Sequence, residues 1–163
     1  MRTSQLEQNE YPPYCVTYFQ AAGEVELVEE LEICLHDFIR FVQNLPMDKF
    51  DYRYAEGKWT IKEIIQHIID TERIFAYRAL RISRNDKTPL PGFEENDYVI
   101  SANANEREFE GLLNEYNVVR EATISLFENL SDADLLKLGI ASNASVSVRG
   151  IGYCILGHEL HHK

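Results

Sequence analysis

The sequence predicts an all-α protein, a four-helix bundle, and three observations carry that reading. Apolar residues recur at 3-4-3-4 spacing in four separate stretches. Capping signals open two helices, Thr60 with Glu63 and Ser131 with Asp134. Strand-type alternation is almost absent. The 163 residues read as a single domain, 1–163, long enough to bury a full core.

Residues 1–23 read as an irregular N-terminal segment, broken by Tyr11, Pro12, Pro13, Tyr14 and Gly23. From about Glu24, the residues Val28, Leu31, Leu35, Phe38, Val42 and Leu45 form a bundle-type seam that Pro46 stops. A charged, aromatic loop then leads to Trp59. The second helix opens at the Thr60–Glu63 capping box, with Trp59 placed to staple onto Ile64. Ile61, Ile64, Ile65, Ile68, Phe75, Ala79 and Ile82 carry it to about Arg84, and the prolines between Asn85 and Gly92 end it. The stretch from Asn85 to Ala104 is longer than neighbouring antiparallel helices need. Phe109, Leu112, Tyr116, Val119, Thr123, Leu126 and Leu130 mark the third helix, and Ser131 caps a short one after it. Leu138 to Ser147 reads as a loop of small residues, and the fourth helix starts near Ser147 or Val148 and runs off the chain end. Two of the long connections are candidates for crossing over the bundle.

Charge and cysteine usage narrow the function. Lys plus Arg number 16 against 27 Asp plus Glu, a formal net charge of -11, so phosphate backbones and anionic lipid are repelled. Neither nucleic acid nor membrane is expected as a partner. Cys15, Cys34 and Cys154 lack paired spacing and read as reduced thiols of a cytoplasmic protein. Met1 to Glu10 carries no apolar signal-peptide segment, and no run approaches the ~18 apolar residues of a membrane span.

The histidines carry the chemistry. His158 and His162 lie one turn apart, in one stripe with Val148, Ile151 and Ile155. That spacing lets two imidazoles grip one divalent metal, and core-facing histidines need partners. His67 lies beside the core face of the second helix, three residues after Ile64. In a bundle the three can converge, giving three imidazole ligands and an open position, the pattern of a catalytic metal site. The competing reading is a set of satisfied core histidines. His36 falls off its seam and reads as a surface residue, and His161 as a neighbour of the ligands or a bundle-edge residue.

Other features have two readings each. His158-Glu159-Leu160-His161-His162 fits the metallopeptidase pattern H-E-x-x-H, with Glu159 as general base. Only Lys163 follows to supply a third ligand, no strand is at hand to present substrate, and Glu159 points away from the metal face. Arg73, Arg78, Arg81 and Arg84 read as complementing the helix dipole and neighbouring acids, the alternative being an anion-binding rim above the metal. Asp70 and Glu72 could orient His67 or could be surface acids. Cys154, one turn before His158, is either a reactive thiol or packing.

Trp59-Thr60-Ile61-Lys62-Glu63-Ile64-Ile65-Gln66-His67, with Asp70 and Glu72, then Pro89-Leu90-Pro91-Gly92-Phe93, then Gly157-His158-Glu159-Leu160-His161-His162, resemble the DinB-like superfamily. That superfamily includes the YfiT-type metal-dependent hydrolases and thiol-dependent S-transferases. The resemblance covers about residues 25–163 and implies a bundle of up-down-down-up topology with His67, His158 and His162 as the metal ligands. It implies zinc or nickel, a small-molecule substrate, a low-molecular-weight thiol such as bacillithiol, mycothiol or glutathione, and pairing of two chains through helix faces. The family name comes from damage-inducible expression, a stress response, and does not mean DNA binding. In relatives the last helix continues past the histidine pair, whereas this sequence ends one residue after His162, so the final turn is expected to fray and hold that ligand loosely. The expected function is a metal-dependent S-transferase or hydrolase acting on a small electrophile. The alternative is a metal-binding or structural bundle without turnover, which predicts a closed centre rather than an open cleft. No catalytic group beyond the metal ligands is assigned.

Overall fold

The computed structural model describes residues 2–53 and 55–163. Helices α1 (Cys15–Ala22), α2 (Leu27–Gln43), α3 (Ile61–Ser83), α4 (Glu95–Ala102), α5 (Phe109–Glu128), α6 (Asp132–Leu135) and α7 (Val148–His162) are joined by one hairpin, β1 (Leu138–Ala141) with β2 (Ala144–Ser147). The four helices expected from periodicity are α2, α3, α5 and α7. Their starts follow local chemistry. Thr60 Oγ1 accepts from the Glu63 N–H at 3.1 Å while the Glu63 carboxylate accepts from the Thr60 N–H at 2.7 Å, closing the capping box of α3. Ser131 and Asp134 do the same for α6, and Ser147 Oγ accepts from the Gly150 N–H to cap α7.

Both α2 and α3 pack on α5 and α7, so α2 and α3 lie diagonally across the bundle. Side-chain pairings give the directions. Gln66 meets Arg107 and Arg73 meets Glu115, so the numbers rise together and α3 runs parallel to α5. His67 meets His158 while Arg78 meets Ser142, so α7 runs against α3. Leu27 lies beside Gly152 and Lys163 lies over Phe41, so α2 and α7 are parallel. The result is a four-helix bundle of up-down-down-up order. A parallel α3–α5 pair requires a connection that recrosses the length of the bundle, which is why the stretch after Asn85 is long and holds α4. Leu31, Phe38, Ile65, Ile69, Leu112, Tyr116, Ile151 and Ile155 meet in the shared core. Among the described residues no helix is long and apolar enough to cross a membrane.

Two segments differ from the sequence reading. The first 23 residues, expected to be irregular, contain α1. Pro12 and Pro13 break what precedes them but suit the first turn of a helix, and the Cys15 N–H donates to Pro12 O at 3.0 Å. Gly23, at φ +72°, ends α1 with its N–H donating to Phe19 O. Leu138 to Ser147, expected to be a loop, is an antiparallel hairpin with Ala141 opposite Ala144. Ser142 and Asn143 both take positive φ, 50° and 62°, the signature of a two-residue type I′ turn. Its strands of four residues are too short and too poor in large apolar side chains to show in the pattern. Leu90 borders the hairpin, donating its N–H to Ile140 O and accepting from the Ser142 N–H. That places the turn against the second half of α3.

Helix α1 crosses α7 at Gly157, where a Cβ would stand 2.1 Å from Tyr18 O. Alanine normally favours a helix over glycine by ~1 kcal/mol. Gly157→Ala is nevertheless expected to destabilise the protein by about 1–3 kcal/mol through overpacking, lowering the thermal midpoint. Gly111→Ala in α5, where nothing lies within 4 Å of the added carbon, should raise it.

Candidate metal centre

Three imidazoles meet where α3 faces the last two turns of α7. His67 stands two turns inside α3, on the stretch that the capping box fixes, and His158 and His162 share one face of α7. Their ring centres form a near-equilateral triangle, 4.8 Å for His67–His158, 4.9 Å for His67–His162 and 4.6 Å for His158–His162. One ring nitrogen from each lies within 4.8 Å of the other two, and His67 Nε2 is 2.9 Å from His158 Nε2. His67 and His158 are buried and His162 is half-buried. The last turn is helical through His162, and the Lys163 N–H donates to Glu159 O at 3.0 Å.

Burial governs the charge of the three rings. Desolvation, then the neighbouring His162, pushes the His67 pKa down to about 4. Desolvation, reinforced by His162, His67 and His161, holds His158 well below the ordinary histidine value. Desolvation and His161 bring His162 down to about 4. All three rings are therefore neutral at pH 7, each with a lone pair to offer.

That donor set fits a divalent transition ion. A tetrahedral site with bonds of ~2.1 Å separates its nitrogen ligands by roughly 3.4 Å, within reach of the observed spacings by small side-chain rotations. Among the described residues no carboxylate hydrogen-bonds to any of the three imidazoles, so a bound ion would keep a position open.

The expectation that Asp70 or Glu72 orients His67 is not met. Asp70 Oδ1 accepts from Gln66 Nε2 at 3.0 Å, and Glu72 turns to Arg120. Both are claimed by cationic or amide partners of α3 and α5. His36 is exposed on α2, and exposed His161 borders the site at 5.3 Å from the His162 ring centre. Cys154 is packing: it is buried, and desolvation holds its thiol well above the ordinary range. Glu159 does point away from the histidines. Its Oε2 accepts from Tyr116 Oη at 2.6 Å and from Arg120 Nη2 at 2.7 Å, which holds the carboxylate in a bridge to α5, turned away from the imidazoles. With that group facing α5, the metallopeptidase reading lacks a general base at the metal.

Arg120 is the functional surprise. It is fully buried, holds Glu72 with two hydrogen bonds of 2.8 Å and also bonds Glu159, tying α5 to α3 and α7. Burial by itself disfavours the guanidinium charge, but the two carboxylates outweigh it and keep the group protonated. Desolvation raises the pKa of Glu159 against the pull of Arg120. A sequence signal for Arg120 exists: it continues the buried stripe Tyr116, Thr123, Phe127, where a lone cation needs an acidic partner.

The triad lies between two clefts. One, of about 320 Å³, is bordered by His67, His158, Tyr18, Thr71, Phe75 and Arg78. The other, of about 440 Å³, is bordered by His162, His161, Trp59 and Ile64. Trp59, expected to staple onto Ile64, also lies with its ring centre 4.7 Å from that of His67, and Tyr18 of α1 stands edge-on to His158 at 5.5 Å. Nothing in the sequence around Tyr18 marks it, because α1 reaches the site only through the crossing at Gly157.

The DinB superfamily matches residues 30–163 of this chain. "Putative metal-dependent hydrolase OB0413" of Oceanobacillus iheyensis is 24% identical over 139 residues, 84% of this chain and 79% of that protein. "Putative metal-dependent hydrolase OB0782" of the same organism is 26% identical over 128 residues, 72% of this chain and 64% of the relative. Among solved structures, YfiT from Bacillus subtilis, described as a probable metal-dependent hydrolase with an unusual four-helix bundle topology, superposes with a TM-score of 0.75. The match covers 94% of this chain and 87% of that one at 15% identity, a likeness of fold.

Two outcomes follow from the geometry. Arg120→Met strands Glu72 and Glu159 in the core and should cost about 3–5 kcal/mol of stability, read from urea unfolding. Metal-free protein should lose stability as pH falls from about 6.5 toward about 4, since the unfolded chain takes up protons at the ordinary histidine value while folded His67 and His162 resist them until about 4. Urea midpoints at pH 7.5 and 5.5 should therefore drop less in His67→Leu than in the wild type.

Proposed function

This chain belongs to the DinB superfamily, and we propose that it is a metal-dependent enzyme acting on a small molecule, with His67, His158 and His162 holding one zinc or nickel ion. The observation that carries this is three neutral imidazoles converging beside a cavity of about 320 Å³, with no carboxylate closing the centre among the described residues. The relatives named as metal-dependent hydrolases support the same reading. The reaction is nucleophilic attack on a small electrophile, either hydrolysis or transfer to a low-molecular-weight thiol. A bound divalent ion supplies Lewis acidity, which lowers the pKa of a bound water or thiol so that it attacks near neutral pH.

The protein's own groups prepare that chemistry. Trp59 and Tyr18 pack against His67 and His158, fixing ring orientation and keeping water from their far sides. Phe75, 6.4 Å from the His158 ring centre, gives the cavity an apolar wall. Tyr14 also borders that cavity, and with its phenol pushed up to about 12 by desolvation it stays protonated and can donate a hydrogen bond. The Glu72–Arg120–Glu159 bridge sets how closely α7 approaches α3.

Elemental analysis of purified protein is the test. About one transition metal per chain is expected in the wild type and in His36→Ala, and none in His67→Ala or His158→Ala. Metal at full stoichiometry in both site variants, or none in the wild type after reconstitution with zinc and nickel, would overturn the proposal. Loaded protein is then assayed for hydrolysis and for thiol transfer with glutathione and bacillithiol. Full loading without either activity would favour the metal-binding bundle.

A further inference from the structure

Of the arginines on and just after α3, three are explained where they stand. Arg73 bonds Glu115 and lies 3.8 Å from Asp70, Arg81 bonds Asp86 and Tyr77, and Arg84 is exposed at the helix end. Arg78 is different. It is 4% exposed, yet among the described residues no carboxylate stands within ion-pairing distance of it. Its Nη2 donates to Pro91 O at 2.7 Å and to Ser142 Oγ at 3.0 Å. The Phe75 and Phe93 rings flank the guanidinium at 5.5 and 5.9 Å. Among the described residues Nε and Nη1 donate to nothing.

This guanidinium lines the cavity that His67 and His158 also line. His67, Thr71, Phe75 and Arg78 recur at 4-4-3 spacing down one face of α3. Thr71, between the imidazole and the guanidinium, is 3% exposed, and its Oγ1 is buried without a hydrogen-bond partner. The Arg78 guanidinium is 5.5 Å from the Phe75 ring centre and that ring is 6.4 Å from the His158 ring, so cation and imidazole lie no more than about 12 Å apart. A buried cation without a counter-charge is unfavourable, and an anion arriving beside it is correspondingly favoured. Glu95 borders the same cavity but is exposed, where water screens it. With a net charge of -11 the chain's long-range field repels anions, so selection must rest on this local cation.

We propose that the substrate is a small organic acid whose carboxylate is held by Arg78, with Thr71 Oγ1 on its path, while its reacting atom reaches the three-histidine centre. Arg78 is then a specificity-determining residue and not a structural tie alone. The inference rests on the metal-centre reading, and the experiment separates the two.

Cobalt(II)-loaded protein is titrated with 6-mercaptohexanoate and with 6-mercaptohexanol, following the thiolate-to-cobalt absorption. The acid should bind the wild type about tenfold or more tightly than the alcohol, the strength of a charge-assisted hydrogen bond. Arg78→Met should abolish that preference and Arg78→Lys should keep part of it, with alcohol binding equal in all three proteins. The constant alcohol affinity shows fold and metal intact. Equal affinity for acid and alcohol in the wild type, or a preference that survives Arg78→Met, would overturn the inference with the metal centre standing. In metal-free protein, hexanoate should raise the thermal midpoint more than hexanol, and Arg78→Met should remove the difference. Failure to bind cobalt with the hexanoate effect intact sinks the metal reading and leaves an acid-binding cavity, and failure of both sinks both.

Discussion

The buried bridge Glu72–Arg120–Glu159 is the interaction on which the rest depends. A guanidinium and two carboxylates leave water only if geometry repays the desolvation, so their positions are tightly constrained. The bridge draws on α3, α5 and α7 at one level. Glu159 is adjacent to His158, and Glu72 lies five residues after His67, so the contact that sets the relation of α3 to α7 also sets the approach of the imidazoles. Repayment is incomplete, since Arg120 Nη1 and Glu159 Oε1 have no partner among the described residues. An apolar replacement of the whole cluster could pack as well, but it would specify helix register less sharply.

Around this bridge the protein controls charge by burial. The chain carries many acids, yet among the described residues no carboxylate hydrogen-bonds to the imidazoles, which desolvation keeps neutral. In the neighbouring cavity Arg78 has, among the described residues, no carboxylate partner. Both conditions favour an incoming ligand over internal pairing. The centre offers lone pairs to a cation, and the cavity offers a cation to an anion.

Close backbone approach is the second structural device. Glycines in α7 let α1 lie against it at Gly157 and let Leu27 and Phe127 reach in at Gly152. Tyr18 arrives at His158 by that route. Arg149, bonded to Glu10 at 2.5 and 2.6 Å, anchors the segment preceding α1 on the same helix. The N-terminal residues thus form a wall of the site although they lie outside the four bundle helices.

The sequence by itself determined the four bundle helices and the cap of α3, and put His67, His158 and His162 where they could converge, because helical period and capping are local and a bundle leaves few ways to bury such stripes. The triad was legible because two of its members are one turn apart on an apolar face. It did not disclose α1, since proline and glycine mark a helix end and a loop alike. Nor did it disclose the β1–β2 hairpin, whose short strands are held by a turn rather than by apolar alternation. Only the tertiary structure decided which acids serve which cations. Asp70, Glu72 and Glu159 look alike as carboxylates near histidines, and Arg73, Arg78, Arg81 and Arg84 as one basic run. The roles of Glu72 and Glu159 depend on Arg120, 48 and 39 residues away, that of Arg78 on Ser142, 64 residues away, and all of them on burial, which a helical pattern locates only to a face.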